Sequence, residues 1–344
     1  MKVSRRQLVT VVLLLASMEV EALQESGISA YAKGLNYLKS GQPALARKAF
    51  LEALNDPNTG PEASFQLAWL AVASADWQEG EKWVRQFLSI RSGSPEGLYV
   101  LGYVLFRQEK HEAAATALTE SLEKQPQNAD AHKILGLAHF QMDRKLEAKK
   151  ELLAAVRINP RLTEAHYFLG RVNYTLNRFG EAREAFERAI QLESRFMKAH
   201  DNLGLTLDAL GEAQRAIEAF RKAIELNEQL KMNSKWPYLN LGEVLLKQDQ
   251  YSESIPYFQK ALAVDPNWAK AHSCFGKALL REGKSEEAKS RFLMAIRLDP
   301  ASSDAHYQLG QLYRKQGDME AAQRELKLFQ QLKKKPTPLS LSAP

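Results

Sequence analysis

The chain has 344 residues, of which 45% are hydrophobic and 26% charged, with a formal net charge of +6 and one cysteine. This composition is typical of folded proteins, and a single cysteine excludes both a disulfide within the chain and a cysteine metal cluster. Acidic and basic residues alternate through most of the predicted helices, so the dense basic stripe of a nucleic-acid-binding protein is absent.

The N-terminal segment at 1–22 has the three parts of a secretory signal peptide. A basic start with Arg5 and Arg6 precedes an apolar run over residues 8–18, and small side chains at Val20 and Ala22 suit cleavage after Ala22. The run is shorter than the roughly 20 residues that span a bilayer. We therefore expect a bacterial-type signal peptide at 1–22 and export to the periplasm or the cell exterior, by the general or the twin-arginine route. An uncleaved amphipathic first helix is the alternative.

Small residues then recur at a fixed spacing through the rest of the chain. They lie thirty-four positions apart at Gly34, Ala68, Gly102, Gly136, Gly170 and Gly204, and after one step of thirty-eight positions at Gly242, Gly276 and Gly310. A period of this length indicates a helix-turn-helix unit that is stacked repeatedly. Such a stack has no single globular core and presents a long surface for holding partners.

Residues 163–194 show how one unit is built. Its first predicted helix contains Gly170 and its second contains Ala182, Phe186 and Ala189, at spacings that suit a period of 3.6. Gly170 and Ala182 leave room where the two helices cross, and Phe186 fills the space between them. A helix-interior glycine costs about 1 kcal/mol relative to alanine, which packing must offset. Since Ala68 replaces one of these glycines, the requirement is small size and not a left-handed backbone.

This pattern resembles the tetratricopeptide repeat (TPR) family, whose units show leucine-glycine, then alanine, phenylalanine and alanine, then proline. The matching prolines are Pro126, Pro160, Pro266 and Pro300. The resemblance covers nine repeats over residues 27–335. It implies an all-α protein, a right-handed α-solenoid (superhelix) of stacked helix-turn-helix TPR repeats.

The longer step between Gly204 and Gly242 divides the predicted repeats into two groups. Repeats 1–6 occupy residues 23–230 and repeats 7–9 occupy residues 231–335, after an insertion of four residues between Asn227 and Ser234. Four residues are about one helical turn, so we expect a longer second helix in repeat 6 and a changed angle of the repeats that follow. Residues 336–344 are rich in proline and serine, and we expect a disordered tail.

We call the fixed spacing of the small residues the grid. Histidine recurs at the same spacing, which raises the possibility of a metal site. The five histidines are His132, His166, His200, His272 and His306. Neighbouring helices pack about 8–10 Å apart, so three such side chains cannot converge on one ion at about 2 Å. We therefore predict no metal, no cofactor and no catalytic residues, with histidine taking a bulky packing position.

A second face of each first helix carries the candidate binding residues. We call the face that carries its second, fifth, ninth and twelfth positions the first-helix face; in the TPR family the corresponding face lines the inner, concave wall. Its candidates in the first five repeats are Tyr31, Phe65, Trp69, Tyr99, Tyr103, Phe106, Phe140, Tyr167, Arg171 and Tyr174. In the later repeats they are Asn202, Asn240, Lys270, Lys277, Arg281, Tyr307 and Arg314.

Aromatic and arginine side chains dominate binding hot spots. We expect an aromatic portion that binds an extended or helical peptide, with Trp69, Tyr103 and Arg171 among its anchors, and a basic portion that binds carboxylates. Packing against the next repeat is the alternative for any one of these aromatic residues.

These features predict a noncatalytic scaffold that binds peptide or protein segments in a concave groove, in the cell envelope or outside the cell. The alternative is an accessory subunit that presents substrate to a partner enzyme such as a glycosyltransferase. We expect no nucleic acid, no small-molecule substrate and no stable membrane insertion.

Overall fold

The computed structural model describes residues 29–333, and every regular element in this range is an α-helix. The predicted signal peptide at 1–22 and the predicted tail at 336–344 lie outside the described residues. The helices in the first half are α1 (Ala30–Lys39), α2 (Pro43–Ala53), α3 (Gly60–Ser74), α4 (Trp77–Ile90), α5 (Pro95–Arg107), α6 (His111–Lys124), α7 (Ala129–Gln141), α8 (Lys145–Ile158) and α9 (Thr163–Thr175). Those in the second half are α10 (Phe179–Leu192), α11 (Met197–Ala209), α12 (Ala213–Gln229), α13 (Trp236–Lys247), α14 (Tyr251–Val264), α15 (Ala269–Arg281), α16 (Ser285–Leu298), α17 (Ser303–Gln316) and α18 (Met319–Lys333).

The chain forms two compact units, whose described parts are residues 29–172 and 173–333, with the boundary inside α9. Odd-numbered helices are the first helices of the repeats and, apart from α9 at the boundary, each packs against the even-numbered helix that follows. The predicted all-α class and tandem helix pairs are confirmed. The handedness of the superhelix stays a prediction.

The grid glycines lie where the two helices of a repeat touch. A Cβ atom at Gly204 would lie 2.5 Å from Cε1 of Phe220, and one at Gly102 would lie 2.5 Å from Cγ of Leu118. Both large side chains are fully buried. None of the grid glycines is among the described residues with positive φ, so small size is the requirement, as predicted. In the second repeat, where Ala68 takes the grid position, the smaller Val84 stands sixteen positions later in place of phenylalanine or leucine.

Every repeat turns between its helices through one left-handed residue, seven positions after the grid residue. These residues have φ between 56° and 85° and are Gly41, Ala75, Glu109 and Asp143 in the first unit and Asn177, Gly211, Asp249, Gly283 and Gly317 in the second. A left-handed backbone suits glycine and is tolerated by asparagine and aspartate. The turn therefore has one fixed geometry although its sequence varies.

The five grid histidines hold the turns between repeats. The Nε2–H group of each donates to the carbonyl oxygen of the residue six positions earlier, at distances from 2.9 Å for His272 to 3.1 Å for His132. In His132 the Nδ1–H group also donates to Glu151, at 2.7 Å. The hydrogen bond to Glu151 raises the pKa of His132 above its ordinary value, against the opposing effect of burial. These side chains are structural, and no group of three metal-ligating side chains lies together in residues 29–333.

The four-residue insertion lengthens a helix, as predicted: α12 has 17 residues, whereas α10 and α14 have 14 each. It also changes how neighbouring first helices pair. Ser273 Oγ donates to Asp304, 31 residues later, whereas Asn240 Nδ2 donates to Asp201, 39 residues earlier. The two sequence separations differ by eight residues, and the four-residue insertion accounts for half of this difference. The other half means that Asp201 pairs about one helical turn further along α13 than the spacing of Ser273 and Asp304 would place it.

Candidate functional site

The first-helix face of the first unit contains both buried and half-exposed candidates. Tyr31, Tyr103 and Tyr167 are each only 5% exposed and are part of the hydrophobic core. These three tyrosines therefore pack inside the protein, which was the alternative to binding a partner. The half-exposed candidates are Phe65, Trp69, Tyr99, Phe106, Phe140 and Arg171. These six side chains are the ones that a partner can reach.

Three of these aromatic rings form a continuous row across the first helices of repeats 2 and 3. The ring of Phe65 lies 6.3 Å from that of Trp69, which in turn lies 6.4 Å from that of Tyr99. Phe65 is also held from below by Phe87 of α4, at 4.7 Å. Helix packing therefore fixes the row in place before any ligand binds, which lowers the entropy cost of binding.

Two arginines stack on aromatic rings of the same unit. The guanidinium of Arg171 lies 5.5 Å from the ring centre of Phe140 and 6.0 Å from that of Tyr167. The guanidinium of Arg107 lies 4.2 Å from the ring of Trp77, and its Nη1 donates to the hydroxyl of Tyr103. Arg171 thus lies between the half-exposed ring of Phe140 and the packed ring of Tyr167, whereas Arg107 contacts Trp77 and the packed Tyr103.

A buried ammonium group connects repeats 4 and 5 on this face. Lys133 is 7% exposed, and its Nζ atom lies 2.8 Å from Asp130 and 3.0 Å from Glu164. Burial lowers the pKa of Lys133, but the two carboxylates outweigh burial and the pKa lies above its ordinary value. Burial, with a smaller contribution from Asp130, raises the pKa of Tyr99 far above its ordinary value. The first-helix face here keeps Lys133 charged and Tyr99 neutral.

In the second unit the same face is polar, and its two asparagines make contacts inside the protein. Asn240 is buried and donates to the carboxylate of Asp201, while Asn202 donates to the carbonyl oxygen of Lys198. Tyr174 is half-buried, and burial raises its pKa. The side-chain amides of these asparagines are therefore occupied within the fold.

The basic candidates of the second unit differ in their surroundings. Lys270 pairs with Glu243 at 3.1 Å, and Lys277 pairs with Asp304 at 2.8 Å. Arg281, Tyr307 and Arg314 are exposed, and Arg314 donates to Gln311. The chain's own carboxylates thus neutralise two of the four predicted basic groups.

A model of the tetratricopeptide repeat matches residues 31–95, 99–161, 142–195, 169–231 and 275–330, and a second model of the same description matches residues 236–267. Together these matches cover most of the chain. The chain belongs to the tetratricopeptide repeat family.

Solved structures show the same TPR fold. The APC/C hetero-tetramer Cut9–Hcn1 is 16% identical with a TM-score of 0.58, over 87% of this chain and 59% of that chain. A tetratricopeptide repeat protein from Parabacteroides merdae is 16% identical with a TM-score of 0.54, over 78% of this chain and 98% of its own. PilF from Pseudomonas aeruginosa is 22% identical with a TM-score of 0.53, over 61% and 94%. No curated protein matches the chain.

The TPR repeats support a protein-interaction scaffold, and a TPR fold is typically noncatalytic. Among the helices at 29–333, none combines the length and the apolar composition that crossing a bilayer requires.

One set of site residues is missing from the candidates chosen by aromatic and basic character. Carboxylates recur in the first turn of four successive TPR first helices, at Glu62, Glu96, Asp130 and Glu164. Their spacing equals the repeat period and is visible in the sequence. Acidic residues are common in the first turn of a helix because they interact favourably with the helix dipole. Their presence there does not by itself indicate a binding site.

Proposed function

We propose that this TPR chain is a noncatalytic scaffold that binds peptide or protein segments on its first-helix face, in the cell envelope or outside the cell. The observation that carries the proposal is the set of six half-exposed aromatic and arginine side chains on one face of the first unit. Such side chains bury a large area at a small cost in side-chain entropy, and they dominate interface energetics.

The form of this face favours a peptide over a small molecule. The Phe65, Trp69 and Tyr99 rings lie in an open row that extends over two helices, and Phe140 and Arg171 extend the face to later repeats. Small-molecule sites are concave and enclose most of their ligand. An extended or helical segment can instead place successive side chains against successive TPR repeats.

In the second unit, Arg281 and Arg314 are the basic groups that we propose for partner carboxylates. Both are exposed and lie in the last turn of their first helices, where a cation also suits the helix dipole. Lys270 and Lys277 can contribute only by leaving Glu243 and Asp304.

Alanine substitution of two half-exposed side chains tests the binding function. The variant Trp69→Ala/Arg171→Ala should capture the native partner at least about tenfold more weakly, because hot-spot truncations each cost about 2 kcal/mol or more. Affinity is measured with the partner obtained by crosslinking in the native compartment. Tyr103 is left intact because it is part of the core.

The matched control is Arg188→Ala/Tyr257→Ala, which removes the same residue classes from second helices. It should leave partner affinity unchanged, and circular dichroism should show equal helicity in both variants. Unchanged affinity in Trp69→Ala/Arg171→Ala would rule out the first-helix face of the first unit as the binding surface.

We also propose that the chain is exported after cleavage behind Ala22. The support is the sequence of residues 1–22, with its basic start and short apolar run. Intact mass spectrometry of the protein from its native host should give a chain that begins at Leu23. A chain that retains residues 1–22 would contradict the proposal.

A further inference from the structure

We propose that the first-helix face of repeats 2 and 3 binds an arginine side chain of an extended partner peptide. The inference rests on the proposed function and specifies its ligand chemistry. The site consists of Glu62, Gln66 and Trp69 on α3 and of Glu96 and Tyr99 on α5. We call it the arginine site.

Unpartnered polar atoms on α3 provide the first support. Within the described residues, Glu62 Oε2, Gln66 Oε1 and Trp69 Nε1 are buried and have no hydrogen-bond partner. Glu62, Gln66 and Trp69 are four and three residues apart, so they share one face of the helix. Gln66 is only 5% exposed, and a buried carbonyl oxygen without a donor is costly. A ligand that supplies donors would remove this cost.

The chemistry of these atoms selects the ligand. Glu62 Oε2 and Gln66 Oε1 are both acceptors. A guanidinium has five N–H donors and no acceptor, so it matches them without leaving a polar group of its own unpaired. The indole N–H group of Trp69 is left to donate to a main-chain carbonyl oxygen of the same peptide. Side-chain rotations of the kind that accompany interface formation would bring the acceptors to the surface.

The protein already shows that one of these carboxylates takes a guanidinium. Arg91, at the end of α4, donates to Glu62 Oε1 from Nη2 at 2.8 Å and from Nε at 3.3 Å. The other oxygen of the same carboxylate is the unpartnered one. A guanidinium from a partner would therefore bind Glu62 Oε2, while Arg91 stays on Glu62 Oε1.

The aromatic rings of the site provide the second support. Elsewhere in the described residues, cations lie over the rings of Trp77, Phe140 and Trp268, among others. Within the same range, no lysine or arginine lies over Phe65, Trp69 or Tyr99, although these rings form the half-exposed row. The faces of Trp and Tyr rings attract cations, and the planar guanidinium stacks on them better than an ammonium does.

Charge balance provides the third support. Glu96 accepts a hydrogen bond from Ser94 and has no ion-pair partner in residues 29–333. At the same edge, Asp130 and Glu164 share the single charge of Lys133. Across these four first helices the carboxylates outnumber the cations that pair with them. The edge of the first-helix face is therefore complementary to a basic segment.

A panel of peptides tests the site in the full chain. The peptides are dodecamers that alternate serine with valine and differ only at a central residue, which is arginine, citrulline, lysine or glutamate. Citrulline keeps the shape of arginine but carries no charge. Fluorescence anisotropy at low salt should show the arginine peptide binding about tenfold more tightly than the citrulline peptide, and the glutamate peptide binding most weakly.

Variants assign the preference to the site. Glu96→Gln and Gln66→Leu should each reduce the arginine-to-citrulline ratio to about twofold or less. The control Glu120→Gln removes an exposed carboxylate from the second helix α6 and should keep the tenfold ratio. Circular dichroism confirms that each variant is folded. Free arginine should not compete at the concentrations at which the peptide competes.

Several results would overturn the proposal. These are equal binding of the arginine and citrulline peptides, an unchanged ratio in Glu96→Gln and Gln66→Leu, competition by free arginine as strong as by the peptide, or no binding by any peptide. Each of these results leaves the proposed function standing if Trp69→Ala/Arg171→Ala still weakens capture of the native partner.

Discussion

Replacing Gly204 by alanine should lower the free energy of unfolding of the second unit by about 1–3 kcal/mol, the usual cost of overfilling a packed core. The new methyl group would lie 2.5 Å from Cε1 and 2.7 Å from Cζ of Phe220, which is fully buried. Alanine has the higher helix propensity by about 1 kcal/mol, but the clash outweighs that gain. Urea unfolding followed by circular dichroism measures the change.

The chain itself suggests the second variant of this experiment. Its second repeat has Ala68 with Val84 where the sixth has Gly204 with Phe220. Phe220→Val alone should lower the free energy of unfolding of the second unit by less than the roughly 3–5 kcal/mol that a Phe→Ala change costs. Adding Gly204→Ala to Phe220→Val should then cost nothing further, because the methyl group enters the space that the ring has left.

Gly180→Ala is the matched control for the Gly204 experiment. It lies in the first turn of α10, and an added Cβ would meet no atom within 4 Å. We expect this change to be neutral or to stabilise the fold by up to about 1 kcal/mol. Additive effects of Gly204→Ala and Phe220→Val in the double variant would contradict the packing argument.

The packing inside a repeat is predictable from the sequence because both partners lie in it at a fixed distance. A small residue and a large one sixteen positions later are enough to identify the contact between Gly204 and Phe220. The insertion is predictable for the same reason, since a break in the period between Gly204 and Gly242 places four residues near the end of α12. These features depend only on local spacing.

The turns and the accessibility of the binding face are less predictable. Ala75 and Glu109 adopt the left-handed backbone, although neither residue type signals it, because the tightly packed helices on both sides fix the turn. Tyr99 and Tyr103 look alike in the sequence, yet Tyr99 is half-buried and Tyr103 is in the core. That difference depends on contacts with the neighbouring repeats, which one sequence does not contain.

The altered pairing between α11 and α13 places Asp201 beside Asn240. Asp201 is 6% exposed, and burial raises the pKa of its carboxyl group from 3.8 to about 7, against the hydrogen bond from Asn240. The other acidic residues nearby, Asp208 and Glu243, are paired with lysines. Between pH 4 and pH 7 the folded state therefore binds a proton that the unfolded chain has released, so Asp201 destabilises the fold increasingly as pH rises.

Asp201→Asn should remove this pH-dependent cost and keep the contact with Asn240, since an amide can also accept from Asn240 Nδ2. The difference in unfolding free energy between variant and wild type should grow between pH 4 and pH 7 by at most about 1.4 kcal/mol per pH unit, and stay constant above pH 7. His200, whose pKa is lowered by burial, acts in the opposite sense, but it is present in both proteins and cancels in the difference. Urea unfolding of both proteins, at steps of half a pH unit from pH 4 to pH 8, measures this difference in unfolding free energy. A difference that does not change with pH would show that Asp201 is already ionised in the folded protein at pH 4, and that the interface between α11 and α13 holds a charged carboxylate.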